Sequence, residues 1–175
     1  MEKELVVYCA SNTNIDPKYN RAAREVVLAA CAKGYTIVSG GSWRGTMGAV
    51  SDAVTEAGGR HRGVLPRFMQ GFEYPELTEL VWTETMAERK EEMRRGTSVA
   101  IALPGGIGTM DELFETMVLS KLGRYEGRIL VLNLDGFYDP LRALLEHFVR
   151  EGMTARTDVD RVVFCDSTDA LAALL

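Results

Sequence analysis

Val99-Ala100-Ile101-Ala102-Leu103 runs without a break into Pro104-Gly105-Gly106-Ile107-Gly108-Thr109-Met110-Asp111-Glu112. The first part reads as a buried strand, the second as a glycine turn that opens a helix. An uninterrupted apolar, β-branched run marks a strand covered on both faces, as in parallel sheets. The same unit recurs to either side. Leu5-Val6-Val7-Tyr8-Cys9 reads as a strand, and Asp16-Pro17 then starts a helix with an acidic cap and a proline at the first helical position. Tyr19, Ala22, Ala23, Val26, Val27 and Ala30 form an apolar helical stripe, closed by Lys33-Gly34. Further strands are expected at Thr36–Val38, Gly63–Leu65, Leu80–Trp82, Ile129–Leu132 and Val162–Phe164. The helices between them are expected near Thr46–Ala57, Met86–Arg95, Met110–Leu122, Pro140–Arg150 and Thr168–Leu174. Such alternation defines a doubly wound, Rossmann-like α/β domain, a parallel sheet with helices on both faces, spanning residues 1–175 as one unit.

Composition narrows the function. The chain has 175 residues, 46% hydrophobic and 26% charged, with a net charge of −5. These values fit an ordinary globular protein and give no excess positive charge for non-specific nucleic-acid binding. No apolar run approaches the roughly 18 residues of a membrane span. The charged start, Met1-Glu2-Lys3-Glu4, does not resemble a signal peptide, so a cytoplasmic location is expected. Cys9, Cys31 and Cys165 share no metal-ligand spacing, and they and the two histidines read as structural; no metal and no cofactor are expected.

Two glycine loops follow strands, where doubly wound folds bind ligands. Gly40-Gly41-Ser42-Trp43-Arg44-Gly45-Thr46-Met47-Gly48 follows the second, and Gly105-Gly106-Ile107-Gly108-Thr109 the fifth. Glycines let backbone N–H groups approach an anion, and a helix N-terminus favours one, so a phosphate is the natural occupant. Gly40 and Gly45 have P-loop spacing, but Thr46 stands where the phosphate-binding lysine would be. Neither the second loop nor Ala10-Ser11-Asn12 after the first strand carries the dinucleotide fingerprint. A mononucleotide or sugar phosphate remains, with Gly40, Gly41, Gly45, Gly105, Gly106, Gly108 and Thr109 as candidate phosphate ligands, and Ser11 and Asn12 for base or sugar.

Two charged residues stand out. Thr109-Met110-Asp111-Glu112 fits a capping box, which would make Glu112 a helix cap; alternatively its carboxylate faces an electron-poor sugar carbon or a water beside the phosphate. Met86, Arg89, Lys90 and Met93 share one helical face, so Arg89 and Lys90 are partly buried and need an anionic partner unless they reach solvent over the methionines. Trp43, Phe68, Phe72 and Tyr74 are candidate pocket-lining aromatics, with ordinary loop packing the simpler alternative.

Pro104 to Glu112 matches a PGGxGTxxE signature at every fixed position. Tyr8–Asn12, Gly40–Gly48, Met86–Met93 and Gly136-Phe137-Tyr138 are similar to further motifs of the same group. The chain thus resembles the "lonely guy" family of cytokinin riboside 5′-monophosphate phosphoribohydrolases, often labelled lysine decarboxylases. The resemblance implies hydrolysis of the N-glycosidic bond of an (N6-substituted) adenosine 5′-monophosphate to free base and ribose 5-phosphate. It implies Arg89 and Glu112 as the catalytic pair, Met86 and Lys90 beside the nucleotide, a phosphate on Gly105–Thr109 and a homodimer. Ser42, Thr46, Ala87, Asp111 and Lys121 depart from the usual motif residues, whereas Arg89 and Glu112 match. The decarboxylase label has no physical support, because none of the five lysines has a pyridoxal-phosphate setting. Two rivals stand beside this reading: a non-catalytic nucleotide-binding or carrier protein, and a general AMP nucleosidase.

Overall fold

In a computed structural model describing residues 3–175, seven parallel strands form one sheet. The strands are β1 (Lys3–Tyr8), β2 (Tyr35–Ser39), β3 (His61–Pro66), β4 (Glu79–Thr83), β5 (Thr97–Ala102), β6 (Arg128–Leu132) and β7 (Val162–Cys165). The helices are α1 (Pro17–Ala32), α2 (Gly45–Glu56), α3 (Met86–Arg94), α4 (Ile107–Lys121), α5 (Asp139–Arg150), α6 (Arg156–Val159) and α7 (Thr168–Ala172). Met1 and Glu2 of the expected charged start lie outside the described residues.

The strand order is β4-β3-β2-β1-β5-β6-β7. The chain winds outward from β1 to β4, then returns to the other side of β1, so the switch point lies between β1 and β5. Loops leaving these two strands diverge there and open a crevice at their carboxyl ends.

Alternate residues of the buried strands feed two cores. Leu5, Val7, Ile37, Val99, Ile101 and Leu103 pack against Ala23, Val26 and Val27 of α1, Val50 of α2 and Leu171 of α7. Val6, Tyr8, Val38, Ala100 and Ala102 pack against Met93 of α3, Leu113 of α4 and Leu141 and Leu145 of α5. Side chains alternate across a strand, so a sheet covered on both faces needs apolar residues at every position. That requirement is why the strands were legible as unbroken runs.

The helix starts divide in an instructive way. Asp16 caps α1, accepting from Lys18 N–H at 2.9 Å, with Pro17 at the first position. Thr85 and Glu88 close a full capping box on α3. The matching pattern at Thr109 does not form a box, which overturns the capping alternative for Glu112. Gly106 is the N-cap, Met110 N–H bonds the Gly106 carbonyl at 3.0 Å, and no side chain caps the terminus. The helix therefore begins before Thr109, and Glu112 lies beyond its first turn. Between β3 and β4 there is no α-helix, only a 3-10 turn at Arg67–Met69.

Candidate active site

A cavity of about 290 Å³ lies at the switch point. It is lined by the loop after β1 (Cys9, Ala10, Ser11, Asn12), by Gly40 after β2, and by Gly106, Ile107, Gly108, Thr109 and Glu112 at the start of α4. Met86, Arg89 and Met93 of α3 close the far side, with Met47 of α2 and Met69 of the 3-10 turn.

The anionic end of this crevice is built by α4. Thr109 is buried, packs against Gly105, and its Oγ1 has no hydrogen-bond partner. No acidic residue occupies the first turn. A helix N-terminus without a cap or acid, next to an unpartnered hydroxyl, leaves several donors facing one cavity. The arrangement suits a phosphate group.

The first glycine loop does different work. Gly45 has a φ of +56° and lies so close to the β1 loop that a Cβ would come within 2.6 Å of the Asn12 carbonyl oxygen. The Thr46 N–H is bonded to the Ala10 carbonyl at 3.0 Å, which takes up a donor at the start of α2. Gly41 packs against Gly63 and Leu65. Of this loop's candidate glycines, only Gly40 reaches the cavity. Thr46 binds Asn20 through its hydroxyl instead of facing a ligand.

Arg89 and Glu112 meet across the crevice. Arg89 Nη1 donates to Glu112 Oε1 at 3.3 Å, while Nε donates to the Val64 carbonyl at 3.0 Å. Arg89 is 7% exposed and Glu112 8%. Gly40 makes room for the guanidinium, since a Cβ there would sit 2.2 Å from Nη2. Burial pushes the Glu112 carboxyl up from 4.5 to about 7 against the opposing pull of Arg89. A carboxyl balanced near neutrality can hold or accept a proton, as a general base requires. Burial, then the Glu112 charge, raises the thiol of Cys9 far out of the reactive range, so Cys9 lines the site without being a nucleophile.

The remaining candidates separate by position. Ser11, Asn12, Met86, Gly106 and Gly108 line the cavity. Lys90 does not: its Nζ bonds Asp111 at 2.8 Å and Glu115 at 3.3 Å, fastening α3 to α4 beside the Arg89–Glu112 pair. Trp43 stacks on Phe72 and is half exposed, and the Tyr74 hydroxyl bonds Asp52; neither joins the cavity wall. Cys9, Met47, Met69 and Met93 are wall residues that sequence reasoning did not assign to a ligand. Two of them carried a usable signal: Cys9 as the last residue of the first strand run, at the switch point, and Met93 on the helical face it shares with Met86 and Arg89.

The fold and this buried acid–base pair at the switch point define an enzyme of the doubly wound α/β class. Residues 47–175 match the protein family described as "Possible lysine decarboxylase". The chain is 38% identical to a cytokinin riboside 5′-monophosphate phosphoribohydrolase from Mycobacterium marinum, covering 94% of this chain and 89% of that one. It is 37% identical to the protein of the same name from Mycobacterium tuberculosis, covering 97% and 91%. Among solved structures it is similar to the molybdenum cofactor binding protein of Rippkaea orientalis, with a TM-score of 0.77 at 20% identity over 99% and 96% of the two chains. That likeness concerns the fold alone. The chain belongs to the phosphoribohydrolase family, which carries the lysine decarboxylase label.

Proposed function

We propose that this chain hydrolyses the N-glycosidic bond of N6-substituted adenosine 5′-monophosphates, releasing the free base and ribose 5-phosphate. The observation that carries the reading is the Arg89–Glu112 pair, buried one turn below the uncapped N-terminus of α4. A phosphate on Gly106–Thr109 holds the ribose, and its anomeric carbon then lies toward Glu112. The names borne by the relatives support the same substrate class.

The C1′–N9 bond breaks with its electron pair leaving on the base, which takes up a proton from solvent, replaced when Glu112 later returns the water's proton. Positive charge then develops on C1′ and the ring oxygen, as in glycoside hydrolysis. Ionised Glu112 stabilises that charge and takes a proton from the water whose oxygen bonds C1′. Arg89 holds the carboxylate in place and favours its charged form. Fixing the phosphate removes much of the motional freedom that would otherwise oppose reaction. Met47, Met69, Met86 and Met93 supply flexible apolar surface for the base and its N6 substituent. The functional reading includes a homodimer in the cytoplasm.

The test is chromatography of free base after incubation with AMP and with N6-prenylated AMP. Release from the prenylated nucleotide in excess is expected. Equal turnover would favour a general AMP nucleosidase, and no release from either would favour a carrier. The buried acid–base pair speaks against the carrier, which needs no ionisable group tuned to neutrality. Light scattering of the purified protein tests the dimer.

A further inference from the structure

Gly136-Phe137-Tyr138 lies outside the cavity, yet the geometry points to Tyr138 as a positioning residue that fixes the Pro104–Thr109 turn and thereby aims the N-terminus of α4 at its anion. The inference rests on the phosphate reading proposed above. Tyr138 is 4% exposed, and its hydroxyl donates to the Leu103 carbonyl at 2.7 Å, the last residue before the turn. The Gly105 backbone, the first glycine of the turn, also acts electrostatically on the same oxygen, favouring its charged form. One phenol therefore ties down the residue that enters the turn. Burial holds this phenol well above its ordinary range, so it stays a donor throughout the neutral region.

The other deeply buried tyrosine hydroxyls behave differently. Tyr8 bonds the Thr116 side chain, Tyr125 bonds that of Thr97, and Tyr35 donates to the Leu175 carbonyl at 3.3 Å, far from the crevice. Tyr138 alone among the four bonds the backbone of a ligand loop. Its own placement is built in depth. Asn133 Oδ1 accepts from the Tyr138 N–H at 2.7 Å, and Asn133 Nδ2 donates to Asp139 and Asp166, each at 2.9 Å. Between Asn133 and Tyr138, Asp135 takes a φ of +51° and Gly136 one of +73°, which turns the chain sharply before the ring. Phe137 packs edge-on against Tyr138, with ring centroids 4.8 Å apart. A ring needed only for packing would require no hydroxyl and no such clamp on its backbone.

Tyr138→Phe removes the hydroxyl and keeps the ring. The experiment measures ribose 5-phosphate and free adenine binding by calorimetry, KM and kcat for N6-prenylated AMP, and the thermal midpoint, in wild type and variant. The expected result is about tenfold weaker ribose 5-phosphate binding and about tenfold higher KM, equivalent to about 1.4 kcal/mol. Adenine binding stays within twofold and kcat changes less than KM. Restoration is not expected from Tyr138→Trp, whose donor cannot occupy the same position. Unchanged ribose 5-phosphate binding in Tyr138→Phe, or an equal loss for both ligands that tracks a lowered thermal midpoint, overturns the positioning role. A wild-type protein that releases no base from N6-prenylated AMP and takes up no ribose 5-phosphate overturns the functional reading itself, and the positioning role with it.

Discussion

Arg89 and Glu112 lie 23 residues apart in sequence and 3.3 Å apart in space, joined by a hydrogen bond in which both side chains are nine-tenths buried. The pair could have been a structural ion pair of the kind that fastens helices. Lys90 and Arg94, on the same helix, are such cases: Lys90 bonds Asp111 and Glu115, and the buried Arg94 bonds Glu115, all outside the cavity. What separates Arg89–Glu112 is the cavity it faces and a carboxyl held near neutrality.

Glu112→Gln should keep the fold and the nucleotide affinity while lowering kcat by at least about a hundredfold, the scale expected of a lost general base. Steady-state kinetics together with calorimetric nucleotide binding decide it. A Gln variant with wild-type turnover removes Glu112 from the mechanism.

The pH dependence follows from the same carboxyl. Glu112 must be ionised to act, so kcat/KM should rise with pH and level off near 7, where burial has moved its titration. The stability consequence has the opposite direction. The folded protein keeps the proton up to about 7 and the unfolded chain only to about 4.5, so between these values rising pH costs stability, about 3 kcal/mol in all. The melting temperature of Glu112→Gln relative to wild type should therefore improve as pH rises through that window.

Arg89→Ala removes the group that opposes the upward shift of Glu112. Activity should fall by at least about a hundredfold, and the residual kcat/KM profile should level off at a higher pH than wild type. A profile displaced downward, or unchanged activity in a variant that merely melts earlier, would count against the pairing.

Gly108 and Gly40 offer contrasting alanine tests. Nothing lies within 4 Å of a Cβ built at Gly108 in α4, so Gly108→Ala should raise stability by up to about 1 kcal/mol. The same methyl group would stand where the phosphate approaches, so KM should rise several-fold. Gly40→Ala drives a methyl into the Arg89 guanidinium and should lower kcat strongly. Thermal melts and kinetics of the two variants together check both expectations.

His61 provides a stability prediction away from the cavity. It is buried with Nε2 against the Ser39 hydroxyl at 2.8 Å, and burial lowers its titration from 6.5 to about 4. The unfolded chain then binds a proton that the folded protein refuses. Stability from this group is full above about 6.5 and is lost as pH falls toward 4, by about 3 kcal/mol in all. Melting curves of wild type and His61→Gln between these values should converge as acidity increases.

Local rules acted alone at the strands, at the Asp16 and Thr85 caps, and in the unbroken PGG signature, so these could be read from residue order. A strand buried on both faces must be apolar at every position, and a cap needs only neighbours within one turn. Tertiary structure decided whatever depends on a partner from elsewhere in the chain. The Thr109–Glu112 pattern fits a capping box locally, yet Gly106 starts the helix earlier and leaves Glu112 free to meet Arg89. Two glycine loops look alike in sequence, but the Ala10 carbonyl occupies one helix start while the other stays open to the cavity. Lys90 and Arg89 are neighbours with similar charge, and only the packing of α3 on α4 sends one to surface carboxylates and the other into the crevice. The physical reason is common to all three: burial and the identity of a distant partner fix what a polar group does, and neither is encoded within one turn of chain.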